Sequence, residues 1–391
     1  RSSDLQRGFC GHLWVPIMMR RAILIESISA ALFIVVLLVG LTGAQPSPEQ
    51  FDCEQVGSIT SRFLEESLVP GAAVAVVRDG EPLCVVTRGT ANLELQSPVT
   101  RETVFELASL TKQMTSALVV TLAQEGEISL DERLVTYIGT PTETWEAITV
   151  RQLLGHMGGL RHEFEPKFHG SYLLDYSTEV MLSAAAETPM VSEPGTDWEY
   201  SDQGYFLAGL AVERATGRKF ADLMTERFFV PLGMSHTRFL DQDDIVPGRA
   251  SGYTVVDGEI KNNRRVWEFE LTPHFGVMST IDDMVRWERG LSQGAVVSSE
   301  VTDRITTPYR VFFEGESHAI SYGMGWQIHE MDGRRIVQHA GYTGTYYLRD
   351  LTTGLSVIVL TNRDSNAGPH PSLLAMKLAR LADPSFPPID E

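Results

Sequence analysis

Ser109 and Lys112 lie three residues apart in the stretch FELASLTKQMTSALVV. Residues at that spacing share one face of a helix, so the lysine amine can reach the serine hydroxyl. A serine hydroxyl is a weak nucleophile until a neighbouring base takes its proton. The pair therefore suggests covalent acyl transfer without a histidine base. The same spacing is also met by an N-cap serine followed by a solvated lysine. The context favours chemistry. Thr111 to Gln124 continues as an apolar helix through Met114, Ala117, Leu118 and Leu122, which sets Ser109 at a helix N-terminus. Free N–H groups and the helix dipole there favour a developing oxyanion.

Two further segments complete a pattern. Tyr200-Ser201-Asp202, in WEYSDQGYFLAG, precedes another predicted helix. His339-Ala340-Gly341, in VQHAGYTGTYYL, falls on a predicted strand. With these three motifs in this order, the chain resembles the serine β-lactamase and penicillin-binding superfamily, specifically its class C and esterase-like branch; S-x-x-K is the serine motif of the wider group. The resemblance runs from about Phe51 to about Leu381 and includes ITVRQLLGHMGGL, FVPLGMSHTRF, GVMSTIDDM and YGMGWQI. It implies an α+β, β-lactamase-like fold: an antiparallel sheet flanked by helices, an inserted all-helical region, and a site between them.

The resemblance also implies roles. Ser109 is acylated by substrate, and Lys112 and Tyr200 shuttle protons. Ordinary values of about 10.4 for lysine and about 10 for tyrosine suit neither as a base at neutral pH. Placed together in a cleft, each shifts the other, and which one takes the serine proton is a coupled question. Asp202 stands where many class C enzymes have asparagine. An ionised aspartate offers acceptors only, so poorer recognition of acylamino side chains is expected. It is also expected to pair with Lys112, hold it charged, and place more of the base role on Tyr200. His339 stands where β-lactamases and D,D-peptidases usually have lysine. Histidine, with an ordinary value of about 6.5, is mostly neutral at pH 7. Gly341 is expected to let substrate lie close to the strand. The amides of Ser109 and Tyr342 are the expected oxyanion donors.

Other polar residues read more plainly. His156 is expected to be structural, His274 could line the cleft, and His162 and His169 could belong to a lid. Trp198 and Tyr346 fit either cleft walls or core aromatics. No Cys/His cluster has zinc-ligand spacing and no glycine-rich phosphate loop is visible, so neither a metal nor a cofactor is expected.

These residues need elements to position them. Val56, Ile59 and Phe63 give Phe51 to Leu68 a helical period. Gly71 to Thr90 alternates as a hairpin with its turn at Asp79-Gly80. Residues from about 111 to 245 read as mostly helical. GMGWQI, RIVQHA, TYYLRD and LSVIVLT read as strands, and Ser372 to Leu381 as a closing helix. Strands, then helices, then strands again suggest one sheet assembled from both ends around a helical insertion. The sheet part is expected at about 51–105 and 246–391, the helical part at about 106–245, within one hydrolase domain over 45–391.

Composition agrees with a folded globular chain: 391 residues, 43% hydrophobic and 21% charged. With 32 Lys and Arg against 51 Asp and Glu, the net charge is −19, which speaks against a nucleic-acid partner. Met18-Met19-Arg20-Arg21, the apolar run from Ile28 to Leu41 and the small residues Thr42-Gly43-Ala44 read as a signal peptide, with residues before Met18 as an upstream extension. An uncleaved anchor is the alternative; the run of about 14 residues is short of the ~20 a spanning helix needs. Export to the periplasm or the extracellular space is therefore expected, with membrane contact only through an uncleaved segment. Cys53 and Cys84 fit either a disulfide or two buried thiols. The expected activity is ester or small amide hydrolysis, of the carboxylesterase or D-amino-acid-peptidase kind, on a small ester, amide or β-lactam. The alternatives are a true β-lactamase or D,D-carboxypeptidase, and, less favoured, a non-catalytic scaffold.

Overall fold

In the first strand, GAAVAVVR, every residue from Gly71 to Val77 is buried. Side chains of a strand alternate between its faces, so both faces of this one meet protein. Ala73, Ala75 and Val77 join one core cluster, and Ala72, Val74 and Val76 another. The sheet is thus a middle layer with a core on each side. These relations come from a computed structural model that describes residues 51–162, 174–241, 243–263, 267–315, 318–366 and 368–388. The signal-peptide and upstream readings, the start of the domain at residue 45, and His169 lie outside the described residues.

Helix α1 (Cys53–Ser67) starts at Asp52, whose carboxylate accepts from the amides of Glu54 and Gln55. It leads into β1 (Gly71–Arg78) and β2 (Glu81–Asn92). Asp79 and Gly80, both at positive φ, turn that hairpin. A short β3 (Ser97–Pro98) follows. The chain then leaves the sheet for α2 (Thr111–Gln124) and, later, α3 (Asp202–Thr216). Helices α4 (Ile281–Gln293) and α5 (Ser299–Ile305) bring it back. Six strands then run in succession: β4 (Arg310–Glu314), β5 (His318–Tyr322), β6 (Gln327–Met331), β7 (Arg334–Gly341), β8 (Thr345–Asp350) and β9 (Leu355–Thr361). Helix α6 (Pro371–Ala382) closes the domain.

The sheet order is β4-β5-β6-β7-β8-β9-β1-β2-β3, with every neighbouring pair antiparallel. Helices α1 and α6 cover one face, where Phe63, Leu374 and Leu378 meet Val357 and Val359. The opposite face packs on α4 and on the helices of the middle segment, through Tyr347, Ile358, Met114 and Trp287. Residues 51–391 form one compact unit.

Three features depart from expectation. GMGWQI is a strand only from Gln327, because Gly325 turns at φ 78°. Strands β4 and β5 were not expected. The middle segment also holds short strands, Leu174–Tyr176 and Arg238–Phe239. Cys53 and Cys84, left open by the sequence, are joined as a disulfide.

Candidate active site

The apolar period of FELASLTKQ starts a helix, but Ser109 itself sits one step earlier, in a single 3-10 turn over Ala108–Leu110 that runs into α2. This turn is tied down from several sides. The Leu107 amide donates to the Val277 carbonyl at 2.9 Å. Thr345 Oγ1 donates to the Leu107 carbonyl at 2.8 Å, and the Val277 amide donates to Thr111 Oγ1 at 3.0 Å. Ala108, just before the serine, has φ 49°. Left-handed backbone is costly for a residue with a Cβ and marks a position the surroundings over-determine.

Lys112 is fully buried and its ammonium has four partners. Nζ donates to Ser109 Oγ at 3.0 Å and to the His274 carbonyl at 2.8 Å. It pairs with Asp202 Oδ1 at 2.6 Å and engages the Tyr200 hydroxyl, which in turn engages Ser109. Nζ also lies 4.9 Å from the centre of the Tyr200 ring. Burial, the largest single influence on this amine, pulls its pKa down; Asp202 and Tyr200 together outweigh it and hold it above the ordinary lysine value. Burial likewise pushes the Tyr200 phenol above its ordinary value, although the Lys112 charge pulls it back. Burial would raise Asp202, but Lys112 outweighs it and the carboxyl lies below its usual range. The resting pair is therefore a lysine cation and a neutral phenol. The expected pairing of Asp202 with Lys112 is present. Burial and Asp202 both disfavour the Tyr200 phenolate.

The Tyr200-Ser201-Asp202 segment is held by the loop that follows QLLGHMGGL. The Ser201 amide donates to His156 Nδ1 at 3.0 Å. Ser201 Oγ donates to the Arg161 carbonyl at 2.7 Å, and the Asp202 amide donates to the His162 carbonyl at 3.1 Å. Ser201 then caps α3 by accepting from the Gly204 amide at 3.0 Å. His156 does more than fill a turn. Its ring centre lies 4.4 Å from that of Tyr200, the planes tilted by 40°, and burial followed by the Lys112 charge lowers its pKa.

His339 is on β7 as expected, but neither ring nitrogen is left for a ligand. Nδ1 meets the Ala340 carbonyl at 2.8 Å and Nε2 the Tyr322 hydroxyl at 3.0 Å. These contacts fit a neutral ring with its proton on Nδ1, an assignment made from the partners. Burial first, then Lys112, push its pKa down to about 4. Gly341 serves the Ser109 turn. A Cβ there would stand 2.4 Å from the Leu107 carbonyl oxygen and 2.1 Å from Thr345 Oγ1. The expected close approach at Gly341 is therefore made by the protein's own backbone. Tyr342, one residue beyond this contact, begins the turn to β8 and is 48% exposed. Its carbonyl accepts from the Ser365 amide at 2.9 Å. Gly341, directly before Tyr342, thus lies against Leu107, two residues before Ser109.

Of the remaining candidates, His274 is buried and contributes its carbonyl, while burial first pushes its ring down to about 3. His162 is exposed and lies 5.1 Å from the Tyr200 ring. Trp198 lines a cavity beside Tyr200. Tyr346 is 1% exposed, belongs to the core facing α1 and α6, and also lines that cavity. Sequence reasoning missed Tyr322, because nothing local marks β5 as facing His339. It also missed the His274 carbonyl, since any residue type supplies one. Ala108 carried no signal beyond its place before the serine. Among the described residues no cluster of three or more His, Cys, Asp or Glu could hold a metal ion.

The chain is similar to several known proteins. The chain is 28% identical to a D-aminopeptidase of Gluconobacter oxydans (strain 621H), over 76% of its own length and 57% of that protein's. It therefore spans little more than half the length of that relative. It is 24% identical to penicillin-binding protein 4* of Bacillus subtilis (strain 168), over 75% of this chain and 68% of that one. Among solved structures, EstCE1, a hydrolase with promiscuous acyltransferase activity, superposes with a TM-score of 0.72 at 19% identity. That match covers 83% of this chain and 97% of the other, and at such identity it speaks for the fold. The beta-lactamase family model matches residues 57–379, and the chain belongs to that family.

Proposed function

We propose that this chain is a serine hydrolase that works through an acyl-enzyme on Ser109 and acts on esters or small amides. The observation that carries this reading is the Lys112 amine 3.0 Å from Ser109 Oγ, with the Tyr200 hydroxyl touching both. In the fraction of molecules whose Tyr200–Lys112 pair has given one proton to solvent, Ser109 Oγ attacks the substrate carbonyl carbon and its proton passes to the basic member of that pair. The amides of Ser109 and Tyr342 receive the oxyanion. The pair then protonates the departing alkoxide or amine, and water repeats the sequence in reverse to release the acid. A D-aminopeptidase relative and an esterase of the same fold support the ester and amide classes.

Hydrolysis of β-lactams or of D,D-peptides is the second reading, favoured by the penicillin-binding relative. Two features of the site weigh against it. Asp202 presents acceptors only, and neutral His339 supplies no cation for a substrate carboxylate. Export is part of the same proposal; the Cys53–Cys84 bridge supports an oxidising compartment.

The deciding experiment compares p-nitrophenyl acetate and butyrate with a chromogenic cephalosporin, in the wild type and in Ser109→Ala. Fast ester turnover, negligible cephalosporin turnover and loss of both in the variant at an unchanged melting temperature are expected. Ester turnover that survives Ser109→Ala would remove Ser109 as nucleophile. Efficient cephalosporin turnover would favour the second reading.

A further inference from the structure

Beside Tyr200 lies a cavity of about 430 Å³, large enough for a ring with a short tail. One wall is aromatic: Trp198, Phe312, Tyr322 and Tyr200 itself. The Trp198 and Phe312 rings are 5.0 Å apart, and Trp198 lies 5.8 Å from Tyr322. Gln327 and Gln338, bonded to each other at 2.9 Å, add amides to the lining. Among the described residues no lysine, arginine, aspartate or glutamate lines it, and its only titratable groups besides the tyrosines are His339 and His370.

Phe312 reaches this wall through an irregularity in the sheet. In the β4–β5 ladder Val311 pairs with Ser321 and Phe313 with Ile320, so Phe312 is the extra residue of a bulge. A bulge re-aims a side chain, and bulges recur beside active sites. Strand β4 is the sheet's edge, and Phe312 remains 43% exposed. An aromatic left half in water beside Trp198 and Tyr200 has apolar surface still to bury.

We propose that Trp198 and the bulge-borne Phe312 form a subsite for an uncharged, ring-bearing leaving group. The side of the substrate follows from proton transfer. The departing atom must lie within hydrogen-bond reach of the Tyr200–Lys112 pair, and Tyr200 is itself part of the cavity lining. Neutrality follows from the lining: its rings and two amides solvate an ester or ether substituent, while its two histidines, His339 and His370, are not permanent cations and offer a carboxylate no fixed counter-charge. The inference rests on the hydrolase reading above.

The test uses the full chain with benzyl acetate, 4-carboxybenzyl acetate, ethyl acetate and ethyl phenylacetate. Benzyl and ethyl alcohols are similarly poor leaving groups, so a difference between their acetates reports recognition. Benzyl acetate is expected to exceed ethyl acetate in kcat/KM by about tenfold or more, the scale of a filled apolar pocket. The 4-carboxybenzyl ester is expected to lose most of that gain. Phe312→Ala should collapse the benzyl-over-ethyl ratio, Phe312→Tyr should keep it, and Val311→Ala, outside the lining, should keep it too. A ratio unaffected by Phe312→Ala overturns the subsite. A ring preference confined to ethyl phenylacetate overturns its side.

Failure of the hydrolase reading would look different, as no ester turnover or turnover indifferent to Ser109→Ala. Benzyl alcohol binding, followed by tryptophan fluorescence, then still decides the subsite. Saturable quenching that Phe312→Ala abolishes supports it, and no quenching in the wild type overturns it.

Discussion

At the scale of single residues, the site is a problem in keeping a buried charge useful. Lys112 stays charged because Asp202, 2.6 Å away, and Tyr200 together outweigh burial. Burial also keeps Tyr200 neutral. Both values are raised, so the basic form of either group is scarce at pH 7 and grows up to about tenfold per pH unit. We expect kcat/KM for an ester to climb from pH 6 to pH 9 without a plateau, and a flat profile would remove this pair as the base. In Asp202→Asn Lys112 loses the larger of its two upward pulls while burial's downward pull remains; Tyr200 loses a neighbouring anion as well. Both values fall, so the rising limb should move to lower pH. A pH–rate series on both proteins checks this, and an unmoved limb would break the link to Asp202. His156 gives a second prediction. Its Nδ1 accepts the Ser201 amide from a residue at φ 58°. Asparagine tolerates that backbone and offers an acceptor. His156→Ala should lower kcat by about tenfold or more with little change in KM, and His156→Asn should recover part of the loss. Equal defects in the two variants would count against a positioning role.

At the scale of elements, the site exists because three backbone segments approach unusually closely. The end of β7 meets the serine turn at Gly341, and the turn before β6 meets the start of α2 at Gly325. A Cβ on Gly325 would lie 2.6 Å from the Cα of Gln113, which gives GMGWQI a structural reason. Besides the Thr345 hydroxyl, a Cβ on Gly341 would meet the Leu107 carbonyl oxygen, a backbone atom that cannot swing away. Gly341→Ala should therefore cost about 1–3 kcal/mol of stability, the usual scale of overpacking, and should lower kcat by more than Ser109's surroundings lose in stability. Denaturant titration beside ester kinetics checks it; normal values for both would show that the turn can give way. The strand and helix periods of β1, β2, β7, β8, β9, α1 and α6 were legible in the sequence because their apolar residues alternate or recur against a fixed core. Strand β4 was not. Its five residues are all exposed, so burial imposes no alternation there, and only pairing with β5 makes it a strand.

At the scale of the whole molecule, the first and last elements meet: α1 and α6 share a core, and β1 pairs with β9. The Cys53–Cys84 bridge fastens α1 to β2 across 31 residues, on the face of the sheet away from α2. Replacing both cysteines by serine should cost about 3–4 kcal/mol in the chain-entropy account and leave ester kinetics unchanged. Thermal unfolding and kcat/KM measured together test both halves; a matching loss of activity would tie the bridge to the site. By itself, the sequence determined the class of chemistry, the order of the elements and the identity of Ser109, Lys112, Tyr200 and Asp202 as a set, because residue type, spacing and apolar period are local properties. Only the tertiary structure decided the charge states of Lys112 and Tyr200, the engagement of His339 by Tyr322, and the meeting of Phe312 with Trp198. Each of these depends on which groups distant in the chain are brought into one desolvated space, and both burial and Coulomb interaction are functions of that distance.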